Sequence, residues 1–157
     1  MRWFFDTEFD EDGSTIDLIS IALVSEQGTM YQACLSEGWC PAHCSEWVKE
    51  NVLPHLPPAN TWKSRRQVSE EIRDLVGEAP ELWAYHASYD WVALCQLYGR
   101  MVDIPPTWPK FCRDLVQLMK DRGISKKDLP AQDAGGKHDA LADARWVRDA
   151  WLSISTM

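Results

Sequence analysis

Acidic residues occur at three separated places in this 157-residue sequence where they could hold divalent cations. Asp6 and Glu8 are two residues apart at the end of an apolar segment, so on a β-strand both carboxylates leave the same face. Neighbouring carboxylates repel each other, and a divalent cation is the simplest compensation. An alternative stays open, in which the strand ends at Phe5 and residues 6–12 form a solvated acidic turn.

Two further acids and one histidine complete the candidate set. Asp90 follows a predicted strand and falls in the first turn of a helix, where the helix dipole alone also favours a carboxylate. His138 and Asp143 on one helix would lie about 140° apart. With Asp139 as the N-cap of that helix, His138 falls on the preceding loop, from which its side chain can reach the site. Each of these residues taken alone is also compatible with an ordinary surface role.

Taken together, these donors predict a particular chemistry. Carboxylates from a strand and two helices suit hard cations such as Mg²⁺ or Mn²⁺, and not Zn²⁺. Two such ions about 4 Å apart can activate a water and stabilise the leaving alkoxide in phosphodiester hydrolysis, with a histidine as general base. The stretch from Cys40 to Cys44 is the one place that could suggest zinc, but no second Cys/His pair has suitable spacing.

The elements that must position these residues are short strands and helices. Three strands of an antiparallel meander are predicted over residues 2–8, 15–24 and 29–35. Five helices and two short strands follow, predicted over residues 44–52, 64–76, 81–85, 88–98, 110–113, 115–122 and 139–153. Ser88 is the predicted N-cap of the fourth of these segments, and residues 53–58 are a non-helical connector because of their prolines. The pattern predicts an α/β fold with a mixed sheet flanked by helices, in a single domain over residues 1–157.

The overall charge argues against a general affinity for nucleic acid. The formal net charge is −8, although two bound divalent cations would reverse the sign at the acidic cluster. Five cysteines, an odd number, are unlike a secreted disulfide framework. No apolar run has the length of a membrane span, and Asp6 interrupts any signal-peptide core. We therefore expect a soluble cytoplasmic protein that does not bind membranes.

Three segments together resemble the motifs of a known enzyme family. Phe5-Asp6-Thr7-Glu8, the segment from Tyr85 to Asp90, and the segment from His138 to Asp143 resemble, in this order, the motifs of the DEDDh 3′-to-5′ exonucleases. That family has a ribonuclease-H-like fold, and the spacing of the histidine and the last aspartate is that of the DEDDh subgroup. Within the family, the chain is most similar to the small bacterial polyadenylate-specific 3′-exoribonucleases, through residues 5–9, 15–21, 52–58 and 92–97.

This resemblance implies a site and a reaction. It implies that two Mg²⁺ ions, which Mn²⁺ can replace, are bound by Asp6, Glu8, Asp90 and Asp143, with His138 as the general base. It also implies that RNA, including poly(A) or 3′ overhangs, is degraded from the 3′ end to nucleoside 5′-monophosphates. The family further implies a homodimer.

Thr7, Phe9 and His86 are the residues that we predict to contact the substrate. Many family members follow the glutamate with Thr and Gly, which contact the terminal nucleotide, whereas this chain has Phe9 and Asp10. We expect Phe9 to stack on a terminal base or to wedge beside it, and ordinary core packing is the alternative.

Two other functions remain open, and a third has no support in the sequence. The same chemistry could act on single-stranded DNA or very short oligonucleotides, because contact with the 2′-hydroxyl is usually made by backbone or small side chains. A Mg²⁺-binding, receiver-like α/β module that is not a nuclease would need a lysine at the end of a later strand and gives no role to His138. A catalytically silent nucleic-acid-binding relative is not supported, because all five site residues are present.

Overall fold

A computed structural model describes all 157 residues of the chain. Its strands are β1 (Arg2–Glu11), β2 (Ile16–Ser25), β3 (Met30–Cys34), β4 (Glu81–Ala84) and β5 (Arg113–Asp114). They form one five-stranded sheet in the order β3-β2-β1-β4-β5. The first three strands are antiparallel, and β4 and β5 join in parallel. The mixed sheet predicted from the sequence is therefore confirmed.

Helices cover both faces of this sheet. They are α1 (Glu46–Asn51), α2 (Arg65–Val76), α3 (Ala87–Gln96), α4 (Leu115–Asp121) and α5 (Ala140–Ser155). Successive side chains of a strand point to opposite faces, so Phe5 packs in the core with Ile72 of α2, whereas Phe4 packs with Val147 of α5. None of the helices combines the length and the apolar character needed to cross a bilayer.

The first strand is longer than predicted. It continues through Glu11, because Phe9 pairs with Leu18 and Glu11 pairs with Ile16 after a register shift between Glu8 and Phe9. The alternative of an acidic turn that starts at residue 6 is therefore wrong. A bulge of this kind increases local twist, and bulges often lie beside functional sites.

Other predicted boundaries also need correction. The start of α3 is Ala87 rather than a turn capped by Ser88, and its N-cap residue is His86 in the left-handed conformation. The connector over residues 53–58 contains one short 3₁₀ helix, Leu53–His55. Pro54 is tolerated there because the first backbone N–H groups of a helix have no partner within it. The last strand is Arg113–Asp114, at the end of the predicted segment 110–113.

Candidate active site

Asp6 and Glu8 lie on the central strand of the sheet. In the register with β2 they face Ala22 and Ser20, and α5 packs across both strands on this side. Glu8 is buried, and Asp6 is partly exposed as a residue. The Oδ2 atom of Asp6, however, is buried and has no hydrogen-bond partner. An unsatisfied buried carboxylate oxygen is costly, and this one fits a site that binds a cation.

Asp90 reaches the same edge of the sheet from the first turn of α3. The pairing of β1 with β4 ends at Phe4, so beyond this residue the β4 side of β1 is open to other partners. Asp90 Oδ1 accepts the backbone N–H of Thr7 at 3.1 Å and also accepts its hydroxyl. Thr7 is only 4% exposed. These two hydrogen bonds hold the Asp90 carboxylate beside the middle of β1.

Asp143 enters the site from the first turn of α5. Its Oδ2 accepts the backbone N–H of His138 at 3.0 Å, and its Oδ1 accepts the side-chain amide of Gln132. His138 has a left-handed backbone with φ of 68°, a conformation that is uncommon for residues other than glycine. One possible ligand atom from each of Glu8, His138 and Asp143 lies within 4.8 Å of the other two. The loop before α5 therefore brings the histidine to the acids.

Burial raises the pKa values of all four carboxylates, and repulsion by the other acids of the cluster adds to the shifts of Asp6 and Glu8. Burial first, and then Asp143 and Asp90, raise the pKa of Glu8 to about 8. Burial raises the pKa of Asp90 to about 6, although the hydrogen bonds from Thr7 oppose this shift. The pKa of Asp6 is raised well above its usual range by burial and by the neighbouring acids, and burial also raises the pKa of Asp143. A cation would relieve this cluster.

The donor set fits a hard divalent cation. Four carboxylates offer oxygen atoms, and the group of Glu8, His138 and Asp143 adds one imidazole and no cysteine. Mg²⁺ and Mn²⁺ prefer such oxygen donors, whereas structural zinc prefers sulfur and nitrogen. The sequence-based prediction of an acidic metal site is thus compatible with the geometry.

Two aromatic contacts flank the acids. Phe9 and Tyr89 stack with ring centroids 6.0 Å apart and planes inclined by 19°, and Tyr89 is 54% exposed. Trp47 of α1 meets the ring of His138 edge-on, with the ring centroids 4.8 Å apart. Trp47 is 52% exposed. Exposed aromatic faces of this kind suit stacking on nucleobases.

The structure brings the five predicted catalytic residues together, whereas the three residues predicted to contact substrate differ in their exposure. Phe9 lies partly exposed at the rim, and His86 is exposed at the start of α3, with its ring against Tyr85. Thr7 is buried and contacts Asp90 instead of solvent. Substrate contact by these three residues stays a prediction.

Sequence reasoning missed three residues that contact the site or its supports. They are Trp47, Gln132 and Asp114, whose carboxylate binds the first N–H of α3. Trp47 and Gln132 lie outside the motifs. In the sequence they are only an aromatic residue on a short predicted helix and an amide in a polar loop. Asp114 had a usable signal, since an aspartate directly before an apolar helical segment is a typical N-cap.

Comparison with solved structures shows which proteins share this fold. The zinc-bound complex of Escherichia coli exonuclease I with single-stranded DNA superposes with a TM-score of 0.70 at 12% identity, over 99% of this chain and 40% of that one. Exonuclease I of Methylocaldum szegediense gives 0.63 at 14% identity, over 98% of this chain and 39% of that one. This chain therefore spans about 40% of those proteins. The likeness shows a shared fold and confirms the predicted ribonuclease-H-like class.

Comparison with known sequences then defines the family. The model of the 3′-5′ exoribonuclease Rv2179c-like domain matches residues 1–155, and the chain belongs to this family. The 3′-5′ exoribonucleases Rv2179c and MT2234.1, from two strains of Mycobacterium tuberculosis, are each 46% identical to it over 151 residues. Each alignment covers 92% of this chain and 88% of the relative. The predicted membership of an exoribonuclease family is confirmed.

Proposed function

We propose that this chain is a metal-dependent 3′-to-5′ exoribonuclease that releases nucleoside 5′-monophosphates from RNA ends. The observation that carries the proposal is the convergence of four carboxylates from β1, α3 and α5 on one partly buried cluster, with a histidine beside it. Membership of an exoribonuclease family supports the same conclusion and argues against a receiver-like module that is not a nuclease.

The ligands of two Mg²⁺ ions, or of Mn²⁺ in their place, would be Asp6, Glu8, Asp90 and Asp143. When bound, the ions supply positive charge that favours an attacking hydroxide and a leaving oxyanion. The unpaired Oδ2 of Asp6 and the raised pKa values of the cluster support this assignment, because both are compensated by a cation.

His138 would act as the general base. Its imidazole lies next to Glu8 and Asp143, so it can take a proton from the attacking water at a ring nitrogen while these carboxylates stabilise the resulting imidazolium. Its position on a loop, with an edge-on contact to Trp47, leaves the ring free of hydrogen bonds to other side chains. The backbone N–H of the same residue donates to Asp143. His138 would therefore act as the base through its ring and would hold a metal ligand through its backbone.

The terminal nucleotide would be held by the aromatic rim. We propose that Phe9, stacked on Tyr89, contacts the terminal base and that the exposed His86 contacts the strand near the start of α3. Stacking on one aromatic side chain is worth about 1–3 kcal/mol. Thr7 would act on the reaction through Asp90, because its hydroxyl is buried against that carboxylate.

Single-stranded DNA is the second candidate substrate, because a protein with this fold has been solved with single-stranded DNA. A 5′-labelled RNA and a DNA of the same sequence, each incubated with Mg²⁺, Mn²⁺ or EDTA, decide between them. We expect stepwise shortening of RNA from its 3′ end, faster than DNA, and no shortening in EDTA. The Asp6→Asn variant is the matched control. Metal-independent cleavage or internal cuts would contradict the proposal.

We also propose that the chain forms a homodimer in the cytoplasm, as its family resemblance implies. Light scattering after size-exclusion chromatography measures the mass directly. A monomer at the concentration of the nuclease assay would contradict the dimer while leaving the proposed reaction intact.

A further inference from the structure

One carboxylate caps two helices. Asp114 stands at the end of β5, and its Oδ1 accepts the N–H of Val116 in the first turn of α4 at 2.8 Å. Its Oδ2 accepts the N–H of Ala87, the first residue of α3, at 3.1 Å. A negative charge is favourable at a helix N-terminus, where backbone N–H groups lack partners. Asp114 supplies this charge at two helices at once.

The helix α3 has no cap of its own. Its N-cap residue His86 has a left-handed backbone, with φ and ψ both 54°, and makes no side-chain cap hydrogen bond. By contrast, the side chains of Ser45, Ser64 and Asp139 cap the helices that follow them. The start of α3 therefore depends on a residue 27 positions later in the chain.

Asp90 lies in the same turn of α3 as Ala87. Its carboxylate points to Thr7 of β1, so the first turn of α3 spans from Asp114 on one side to β1 on the other. Asp114 is itself fixed by the sheet, since it pairs in parallel with Ala84 at the end of β4. A shift of the Ala87 backbone would displace Asp90, and metal sites tolerate displacements of only about 0.5 Å.

We propose that Asp114 is a positioning residue of the active site, which holds the start of α3 so that Asp90 can bind metal. This inference rests on the proposed function, because it assigns Asp90 as a ligand. Residues outside the ligand shell that hold a ligand in place typically change metal affinity or activity by about 10- to 100-fold when they are replaced.

The substitution Asp114→Ser separates the two caps. Serine is a good N-cap, so its hydroxyl can still accept the N–H of Val116, but its side chain is one atom shorter than that of aspartate and does not reach Ala87. Ser64→Ala is the matched control, because it removes the cap of α2, which carries none of the proposed site residues.

We expect Mn²⁺ to bind Asp114→Ser about tenfold more weakly than the wild-type chain, and Ser64→Ala to bind it unchanged. Titration followed by electron paramagnetic resonance measures this affinity without any nuclease assay. In the metal-free proteins, hydrogen exchange of the Ala87 amide should accelerate in Asp114→Ser and not in Ser64→Ala. If Asp114→Ser does not fold, Asp114→Asn keeps the shape and should weaken Mn²⁺ binding in the same direction.

Wild-type affinity for Mn²⁺ in Asp114→Ser, or unchanged exchange at Ala87, would overturn the proposal. Both readouts are independent of the reaction. If the wild-type chain binds no Mn²⁺ and hydrolyses no RNA, the proposed function fails. If the wild-type chain binds Mn²⁺ and Asp114→Ser binds it equally well, only the role of Asp114 fails.

Discussion

The candidate site has two sides that are built differently. On the framework side, Asp6, Glu8 and Asp90 are carried by the central strand and by the helix docked against it, and buried Thr7 holds Asp90. On the loop side, both oxygen atoms of Asp143 are held by residues that precede α5, through an amide side chain and a backbone N–H. The framework side is set by sheet register, whereas the loop side depends on single hydrogen bonds.

This difference affects how each side can receive a cation. Asp6 offers a buried oxygen that has no donor at all. Asp143 has a donor on each oxygen, but a carboxylate oxygen has two lone pairs, so each can still bind a cation. We infer that the framework side is arranged for metal before it binds, and that the loop side is the more adjustable of the two.

The largest effect is expected from a substitution on the framework side. Asp6→Asn removes one ligand charge with little change in shape, and we expect turnover to fall by about 10³-fold or more, since bound metal supplies several kcal/mol of transition-state stabilisation. The melting temperature should stay equal or rise, because the raised pKa of Asp6 shows that its charge opposes folding. Undiminished hydrolysis of labelled RNA would remove Asp6 from the site.

The next effect concerns the base on the loop side. His138→Ala should slow turnover by about 10²- to 10⁴-fold, the usual contribution of a general base. Mn²⁺ affinity should change little, because alanine retains the backbone N–H that Asp143 accepts. Parallel measurement of turnover and Mn²⁺ binding checks this separation. An equal loss in both would mean that the imidazole is a ligand or a structural element rather than a base.

The same contrast explains what could be predicted from the sequence. Asp6 and Glu8 were placed correctly because strand periodicity alone puts them on one face. The capping pattern put Asp139 at the start of α5 and His138 before it, as observed. The predicted start of α3 is wrong, because the carboxylate that accepts its first N–H belongs to Asp114, a residue distant along the chain. Local patterns do not contain such long-range partners.

On the loop side, the sequence predicts where His138 and Asp143 lie but not the side chains that support them. Nothing near Gln132 in the sequence indicates that its amide contacts Asp143, since residues 123–137 have no period that fixes a direction for side chains. The contact of Trp47 with His138 joins residues about 90 positions apart and depends on how α1 packs. Contacts of this kind follow from tertiary packing and not from local propensity.

A smaller effect compares the supports of the two sides directly. Thr7→Val removes a buried hydroxyl donor to Asp90, which no water can replace, and should weaken Mn²⁺ binding about tenfold. Gln132→Ala removes a donor to Asp143 at a partly exposed position, where water can take its place, and should weaken binding only about two- to threefold. Thr7→Ser is the control and should keep the wild-type affinity for Mn²⁺, because serine retains the hydroxyl donor. A larger loss in Gln132→Ala would reverse the assignment of the two sides.

A separate effect, on stability rather than on activity, is the pH dependence of the melting temperature without metal. Burial raises the pKa of Glu8 to about 8 and that of Asp90 to about 6 in the folded chain, whereas both titrate near 4 when unfolded. A raised folded-state pKa gives stability that is fully present below the unfolded pKa and is lost as pH rises through the folded value. The melting temperature in EDTA should therefore fall between pH 5 and pH 8, and saturating Mg²⁺ should reduce this fall.

The two sides should contribute unequally to this fall of the melting temperature with pH. The rise in the pKa of Asp143 is opposed by the donors on its two oxygen atoms. For Glu8, burial raises the pKa and the charges of Asp143 and Asp90 raise it further. Glu8→Gln should accordingly flatten the pH dependence more than Asp143→Asn does, when both variants are melted in EDTA at the same four pH values. Equal slopes in the two variants would show that the loop side is as strained by its charge as the framework side, and the distinction between them would then lie in geometry alone.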